Sequence, residues 1–318
     1  MAQGKKTGVL LLNLGGPQQT ADIKPFLVNL FSDRQIIRLG PALLQPLIAR
    51  FIAHRRAPKS MANYARIGGG SPILTRTREQ AKALEKRLAH KGDFLVRPCM
   101  RYWHPFAQEA LAELRAAGVE HCIALPLYPH YSIATTGSSL ADLERSMRLY
   151  PPISCSLIRA WPEQPEYIAA LAKRVEEGLA FFQNTEVRLL YSAHSLPQRF
   201  IDEGDPYVED LKKTIAAIEK LTGKKGELCY QSRSGPVAWL GPSTPETIRR
   251  CAAEGTQNLL ILPLSFVSDH VETLVEIDMD YRDLAEGLGM RFHSTRALND
   301  DPLFIEGLAR LVLEAATN

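Results

Sequence analysis

Short apolar runs alternate with amphipathic stretches along the whole of this chain. The apolar runs have the length of buried strands, and the stretches between them have the three-to-four periodicity of helices. The predicted strands cover residues 8–14, 94–101, 122–127, 156–160, 187–193, 228–231, 259–266 and 290–293, and the predicted helices cover residues 77–90, 106–117, 206–221, 245–253, 270–285 and 302–316. Strands that alternate with helices form βαβ units, so the pattern predicts an α/β fold with parallel sheets.

The second half of the chain repeats a feature of the first. A predicted helix ends at Gly118 and another at Gly255, and seven residues after each glycine the chain reads Leu-Pro-Leu, at 125–127 and at 262–264. Glycine is the residue that most readily closes a helix, and the Leu-Pro-Leu closes the strand that follows. Chance similarity between short apolar strands is the alternative to an internal duplication.

The repeat also relates the two opening strands. When they are matched, His194 falls at the position of Leu14. We therefore predict two similar Rossmann-like domains, each a parallel sheet flanked by helices, over residues 1–150 and 151–318. The last helix is free to pack back on the first domain.

Composition narrows the class of protein. The chain has 318 residues, of which 45% are hydrophobic and 23% charged, as in a globular enzyme of two domains. The net charge of +3 is too small to indicate a nucleic-acid partner. The five scattered cysteines contain no CxxC pair and indicate reduced thiols in a cytosol. No apolar stretch approaches the roughly 20 residues of a membrane span.

A histidine follows one of the predicted strands of the second domain. In open parallel sheets, ligands bind beyond the carboxyl ends of the strands, and His194 comes directly after such an end. A histidine there can bind a metal or act as a base near neutral pH. A surface turn histidine held by its neighbouring serines is the alternative.

A row of acidic residues begins after another predicted strand, and we expect its Glu272 and His194 in equivalent regions of two sheets. Asp269, Glu272, Glu276 and Asp280 are spaced three, four and four residues apart, which predicts one face of a helix. Clustered like charges favour bound cations or protons, so the row can carry protons outward. A capping box followed by a solvated face is the alternative. With His194, Glu272 predicts a weak, exchangeable site for Zn²⁺ or Fe²⁺ that lacks a clear third ligand.

The first domain contains a basic, glycine-rich segment at residues 55–72 that matches neither a Walker loop nor GxGxxG. Its Arg56, Tyr64 and Ser71 can hold carboxylates of a substrate, and a solvated helix end is the alternative.

Upstream, residues 26–52 are rich in Leu, Ile and Phe. That composition suits an apolar lip around a flat hydrophobic ligand, or contact with the inner membrane leaflet.

Eight segments, in order along essentially the whole chain, resemble those of the ferrochelatases, enzymes that insert Fe²⁺ into a porphyrin at the end of haem synthesis. The segments are residues 12–17, 56–59, 64–72, 101–105, 128–139, 192–197, 231–242 and 266–274. Each segment is weak alone, but their order is specific.

The resemblance implies a chelatase-like fold with the porphyrin in a cleft between two Rossmann-like halves. It implies that His194 and Glu272 face each other across the macrocycle and handle the metal, that His270 and Glu276 also take part in catalysis, and that Asp269, Glu276 and Asp280 relay protons. The substrate-binding residues it implies are Leu14, Arg56, Tyr64, Ser71, Tyr128 and Trp239.

Two departures from the family pattern refine the expectation. Relatives with an iron–sulfur cluster have a cysteine-rich C-terminal extension, whereas this chain has no cysteine after Cys251 and has Ile133 where those relatives have another cysteine. We therefore expect no iron–sulfur cluster and no other permanently bound cofactor. The branch that acts on coproporphyrin has an axial tyrosine where this chain has Leu14, so protoporphyrin IX is the expected substrate together with Fe²⁺.

Other functions remain as alternatives. They are a coproporphyrin ferrochelatase, a cobalt chelatase acting on a precorrin or sirohydrochlorin, a non-catalytic haem carrier and, disfavoured by its missing ligands, a zinc hydrolase. We expect a cytoplasmic monomer with no nucleic-acid partner, in peripheral contact with the inner face of the membrane.

Overall fold

A computed structural model provides the structure of the chain. It describes residues 6–38, 40–149, 153–183, 185–233, 235 and 237–317. The chain forms two compact units, one of residues Met1–Trp161 with Phe304–Asn318 and one of residues Pro162–Leu303. The boundary predicted between residues 150 and 151 lies outside the described residues. The contacts divide the chain at Trp161 and assign most of the last helix to the first unit.

Strands and helices alternate through both units. The strands are β1 (Thr7–Asn13), β2 (Phe94–Met100), β3 (His121–Pro126), β4 (Ser154–Leu157), β5 (Arg188–His194), β6 (Gly226–Gln231), β7 (Asn258–Pro263) and β8 (Arg291–Ser294). The α-helices are α1 (Ile23–Ser32), α2 (Gln45–Ala65), α3 (Ile73–Leu88), α4 (Ala107–Ala116), α5 (Ser138–Met147), α6 (Pro165–Ala180), α7 (Gln198–Asp202), α8 (Tyr207–Thr222), α9 (Thr244–Ala253), α10 (Arg282–Gly287) and α11 (Pro302–Thr317). Short 3₁₀ turns cover Thr20–Asp22 and Ala42–Leu44, and π-helical segments cover Ile133–Gly137 and Glu272–Tyr281.

Each unit contains one parallel sheet with the same strand order. The first sheet runs β2-β1-β3-β4 and the second runs β6-β5-β7-β8. Their central strands β1, β3, β5 and β7 are almost wholly buried, as expected for strands covered by helices on both faces. The predicted α/β class with two Rossmann-like sheets is confirmed.

The register of the sheets supports the internal repeat. Leu12 of β1 pairs with Pro126 of β3, and Ser192 of β5 pairs with Pro263 of β7. Because the two prolines belong to the repeated Leu-Pro-Leu segments, Leu12 and Ser192 are equivalent. Two residues further on, Leu14 and His194 are therefore equivalent, as the sequence comparison predicted.

The glycines at the ends of α4 and α9 explain why both helices end where they do. Gly118 has φ of 76° and Gly255 has φ of 84°, in the left-handed region that favours glycine. The chain then turns directly into β3 and β7. The apolar faces of α4 and α9 pack on these strands, and Leu111 and Ile248 lie fully buried in the two cores.

The predicted elements differ from the structure mainly at their ends. Each predicted strand is present within a few residues of its expected bounds, and the helix expected at 77–90 begins earlier, at Ile73. The helix expected at 270–285 instead begins at Glu272 as a π-helix and continues as α10. Among the described residues, no helix is long and apolar enough to cross a membrane.

Candidate active site

The main chain of His194 is held on both sides at the carboxyl end of β5. Its amide donates to Ser265 Oγ over 3.0 Å, and its carbonyl accepts from the hydroxyl of Tyr207 over 2.9 Å. Tyr207 and Ser265 also bond each other, with 2.6 Å between their oxygens. These contacts fix the point from which the imidazole projects.

The imidazole of His194 pairs with the carboxylate of Glu272. His194 Nδ1 lies 2.8 Å from Glu272 Oε2, and the two side chains are 32% and 22% exposed. Burial opposes charge on His194, but the adjacent Glu272 carboxylate outweighs it and raises the pKa of His194 above its ordinary value. Burial likewise opposes charge on Glu272, yet His194, His270 and Ser232 together lower its pKa to about 2. Each member of the pair therefore favours the charged form of the other.

Ser232 follows β6 and contacts two acidic side chains. Its hydroxyl donates to Glu272 Oε2 over 2.9 Å and also bonds Glu276 Oε2, while its amide donates to Glu276 Oε1 over 2.9 Å. Gln231 Nε2 lies 3.5 Å from Glu272 Oε2. Neither Ser232 nor Gln231 was predicted from the sequence to have a role, although both lie at the carboxyl end of a strand within a segment that resembles the family.

Glu276 is the second carboxylate of this cluster. The Tyr281 hydroxyl donates to Glu276 Oε1 over 2.7 Å. Burial and the neighbouring negative charge of Glu272 raise the pKa of Glu276, against the hydrogen bonds from Ser232 and Tyr281 that lower it. Glu272 and Glu276 thus have pKa values displaced in opposite directions, as is typical of groups that exchange protons.

His270 contributes a second imidazole. It is 3% exposed, and its Nδ1 lies 3.1 Å from the carbonyl oxygen of Ser268, so Nδ1 carries a hydrogen and donates. Its Nε2 has no hydrogen-bond partner among the described residues and lies 4.0 Å from Glu272 Oε2. Burial lowers the pKa of His270, against the attraction of the Glu272 carboxylate, which raises it.

The predicted row of four carboxylates on one helical face is wrong at its first member. Asp269 precedes the helix, which begins at Glu272, and it pairs with Asn299 instead. The Asp269 amide donates to Asn299 Oδ1 over 3.0 Å, and Asn299 Nδ2 donates back to Asp269 Oδ2 over 2.8 Å. At the other end of the row Asp280 is exposed, whereas Asp278, half-buried and not predicted, accepts from Ser294.

The ligands offered by His194 and Glu272 suit a metal ion that binds only transiently. Within the described ranges, no group of three or more His, Cys, Asp or Glu side chains is arranged to hold a metal ion. His194 and Glu272 offer one nitrogen and one carboxylate, and the remaining positions around a cation would be open. A closed structural site uses four protein ligands, so this pair fits a transient contact better.

Comparisons with known proteins agree with this chemistry. The family profile named Ferrochelatase matches residues 6–316. The ferrochelatase of Desulfotalea psychrophila is 56% identical over 318 residues, 99% of each chain. The chain belongs to the ferrochelatase family. The ferrochelatases of Geotalea uraniireducens and Gloeobacter violaceus are 51% and 44% identical, over 97% of each chain.

Solved chelatase structures show the same fold. SirB from Bacillus subtilis with Fe³⁺ matches 99% of this chain and 97% of its own, with a TM-score of 0.58 and 14% identity. CbiX matches 98% and 99%, with a TM-score of 0.50 and 11% identity. As a member of the ferrochelatase family, the protein is a porphyrin metal chelatase that inserts iron into a porphyrin for haem synthesis. Cobalt chelation, the alternative function, is not favoured.

Several residues predicted to bind porphyrin in this ferrochelatase lie near the carboxyl ends of β1 and β3. Leu14 is half-buried, directly after β1, and its amide donates to Asn13 Oδ1 over 2.8 Å. The Ser71 amide donates to the carbonyl of Pro17 over 2.7 Å, which holds the glycine-rich segment against the turn after β1. Tyr128 is buried two residues after β3.

The other two candidates in the first unit lie on α2. Arg56 is exposed, and its guanidinium lies 5.7 Å from the centroid of the Phe31 ring. Tyr64 is buried near the end of the helix. An exposed arginine on a rigid helix can bind a carboxylate of a substrate, whereas the buried Tyr64 has only a small exposed surface.

Trp239 lies in the second unit beside the residues that follow His194. It forms an isolated antiparallel bridge with Pro197, and the Leu240 amide donates to the carbonyl of Leu196 over 3.0 Å. The indole is half-buried, and its Nε1 has no hydrogen-bond partner in the part of the chain that the structure describes. The structure therefore brings together His194, Glu272, His270 and Glu276, with Trp239 on the neighbouring segment.

Proposed function

We propose that this chain inserts Fe²⁺ into protoporphyrin IX to give protohaem, with His194 and Glu272 as the metal-handling pair. The observation that carries the proposal is the 2.8 Å contact between the His194 imidazole and the Glu272 carboxylate at the end of a parallel sheet. His270 and Glu276 support that pair, and membership of the ferrochelatase family supplies the reaction.

The chemistry requires two events at the porphyrin. Two pyrrole N–H protons leave, and a doubly charged cation enters. An ionised Glu272 can attract the cation. The imidazole of His194 can exchange a proton through Nε2, since its Nδ1 contacts Glu272. Glu276 has a raised pKa and can take up a proton that arrives at this end of the π-helix. Asp269 and Asp280, which precede and follow this cluster in the sequence, complete the proposed proton relay.

Leu14 favours protoporphyrin over coproporphyrin. Its aliphatic side chain cannot coordinate iron, and it lies half-buried at the carboxyl end of β1. The proposed substrate-binding residues Arg56, Tyr64, Ser71, Tyr128 and Trp239 supply a cation, hydroxyls and aromatic faces, which suit a flat apolar ring with peripheral carboxylates.

The test is metallation by the purified protein. Protoporphyrin IX or coproporphyrin III is incubated anaerobically with Fe²⁺, and the porphyrin spectrum is followed. We expect protohaem with the first porphyrin, much slower conversion of the second, and loss of activity in His194→Ala with porphyrin binding intact. Near-normal metallation by His194→Ala would overturn the assignment.

We also propose that the protein works without a permanently bound cofactor and without an iron–sulfur cluster. The substrate iron itself meets only oxygen and nitrogen donors at His194 and Glu272 in this proposal. Cys99, Cys122, Cys229 and Cys251 are buried in the sheets and helices, where thiols serve as packing groups. Analysis of the purified protein for iron and acid-labile sulfide tests this, and stoichiometric sulfide would contradict it.

An apolar face at the start of α2 supports a peripheral membrane contact. Leu43, Leu47 and Phe51 are 92%, 62% and 62% exposed, and the Arg55 guanidinium lies 5.9 Å from the Phe51 ring. Apolar side chains beside a cation suit the interface of an anionic membrane. We propose a cytoplasmic monomer that contacts the inner membrane face through this surface.

Flotation with vesicles tests the membrane contact. We expect wild-type protein to float with anionic vesicles and Phe51→Ser to remain unbound. Leu221→Ser removes an apolar side chain of similar exposure, 58%, at the end of α8, and serves as the matched control. Equal flotation of Phe51→Ser and wild type would contradict the proposal, and sedimentation tests the monomer.

A further inference from the structure

Ser232 has a backbone conformation that a serine rarely adopts. It follows β6 with φ of 65°, in the left-handed region where glycine and asparagine are favoured. A serine there costs free energy that a glycine would not, because its Cβ approaches the following carbonyl. A serine at this position therefore needs side-chain interactions that offset the cost of its backbone conformation.

The hydrogen bonds of Ser232 to Glu272 and Glu276 supply those interactions. The hydroxyl lies between Glu272 Oε2, at 2.9 Å, and Glu276 Oε2, and the amide donates to Glu276 Oε1 over 2.9 Å. Two neighbouring carboxylates would otherwise repel each other. The hydroxyl has one hydrogen, so it donates to one carboxylate oxygen and accepts from the other carboxyl when that group carries a proton. It thereby links both side chains, and the left-handed turn aims the Ser232 amide and hydroxyl at the same pair.

The turn itself is anchored in the protein interior. Gln231, the preceding residue, is 1% exposed, and its Oε1 accepts from Ser192 Oγ over 2.6 Å. Ser192 Oγ in turn lies 3.0 Å from the Thr244 hydroxyl. A buried polar chain of this kind leaves Ser232 little freedom to move, so the position of its hydroxyl is fixed before any substrate binds.

We propose that Ser232 is a positioning residue for iron insertion: its hydroxyl holds the Glu272 carboxylate against His194 and joins it to Glu276. This inference rests on the function proposed above. It assigns Ser232 no contact with iron or porphyrin. Its effect is to keep Glu272 oriented, with one oxygen shared between an imidazole and a hydroxyl, while the cation enters.

The test compares substitutions that separate the hydroxyl from the backbone conformation. Ser232→Gly removes the hydroxyl and relieves the left-handed strain. Ser232→Asn tolerates the same conformation and restores a hydrogen-bond donor. Thr222→Ala, which removes a half-buried hydroxyl bonded to Ile218 at the end of α8, is the control.

We expect Ser232→Gly to lower kcat for iron insertion by about 10- to 100-fold, the effect of losing a hydrogen bond to a charged group. KM for the porphyrin should change by no more than about twofold, since the interaction acts after binding. Thermal stability should be equal or higher, and Ser232→Asn should recover part of kcat. The Nδ1 signal of His194 in nitrogen NMR should move in Ser232→Gly and return toward its wild-type position in Ser232→Asn.

The outcomes distinguish failure of the proposed function from failure of the role proposed for Ser232. Wild-type protein that does not metallate any porphyrin overturns the proposed function. Wild-type protein that is active, with Ser232→Gly equally active and the His194 signal unmoved, overturns the role of Ser232. A fall in kcat that accompanies a loss of thermal stability in Ser232→Gly also overturns it, because a structural role would then explain the result.

Discussion

Replacing Glu272 by glutamine removes one negative charge beside His194 and almost nothing else. Glutamine has the same length, and its amide oxygen can still accept from His194 Nδ1. The pKa of His194 is raised by Glu272 against an opposing effect of burial. Without the carboxylate the effect of burial is larger than the remaining attraction of Glu276, so the pKa of His194 should fall below its ordinary value of 6.5.

The strength of the interaction between His194 and Glu272 can be judged from the pKa of Glu272. The site lowers the pKa of Glu272 from 4.5 to about 2. A shift of one pKa unit corresponds to about 1.4 kcal/mol, so the site favours the ionised carboxylate by about 3 kcal/mol. This stabilisation is present above pH 4.5 and is lost as the pH falls toward 2. The raised pKa of His194 gives the complementary limit, since its contribution is complete below pH 6.5 and is lost as the pH rises through the folded-state value.

NMR titration of the labelled imidazoles measures the change directly. The signal of His194 is assigned by its absence in His194→Ala, and the signal of His104, in the first unit, serves as the internal reference. Urea unfolding of wild type and Glu272→Gln across the acid range gives the stability. An unchanged His194 pKa in Glu272→Gln, or an equal loss of stability in acid for both proteins, would refute the electrostatic account of the pair.

Three further substitutions test other parts of the molecule. Glu276→Gln should lower kcat by about 10²-fold, the usual contribution of a proton-transfer group, and an unchanged kcat in steady-state assays would contradict that role. Gly16→Ala places a Cβ 2.7 Å from Ser71 Cβ and should raise KM for the porphyrin about tenfold; an unchanged KM would argue against Ser71 as a contact. Gly178→Ala places a Cβ 2.6 Å from Leu260 Cδ1 in the buried interior of the second unit and should cost about 1–3 kcal/mol in urea unfolding, with kcat unchanged. Equal stability there would show that the core adapts.

The sequence was sufficient to predict the two parallel sheets. Apolar strands of the right length predicted each strand, and the repeated Leu-Pro-Leu predicted the equivalence of Leu14 and His194 that the register shows. His194 and Glu272 were both expected after strands, but in two different sheets and on opposite sides of a macrocycle. The structure instead places both in the second unit, in contact over 2.8 Å.

What the sequence could not predict depends on local backbone geometry. The spacing from Asp269 to Glu272 is helical, yet the helix begins only at Glu272 and as a π-helix, because Asp269 is bonded to Asn299, which is distant in sequence. Ser232 is an ordinary serine in sequence. Its role depends on a left-handed turn that no propensity predicts for serine, and on the buried chain behind Gln231.

Metallation kinetics of Glu272→Gln beside wild type test the central claim most directly. Both proteins are given protoporphyrin IX and Fe²⁺ without oxygen, and formation of protohaem is followed in single turnovers at saturating porphyrin. We predict rapid conversion by wild type and, in Glu272→Gln, unchanged porphyrin binding with insertion slower by at least about 10²-fold. Insertion at the wild-type rate by Glu272→Gln would contradict the assignment of His194 and Glu272 as the metal-handling pair.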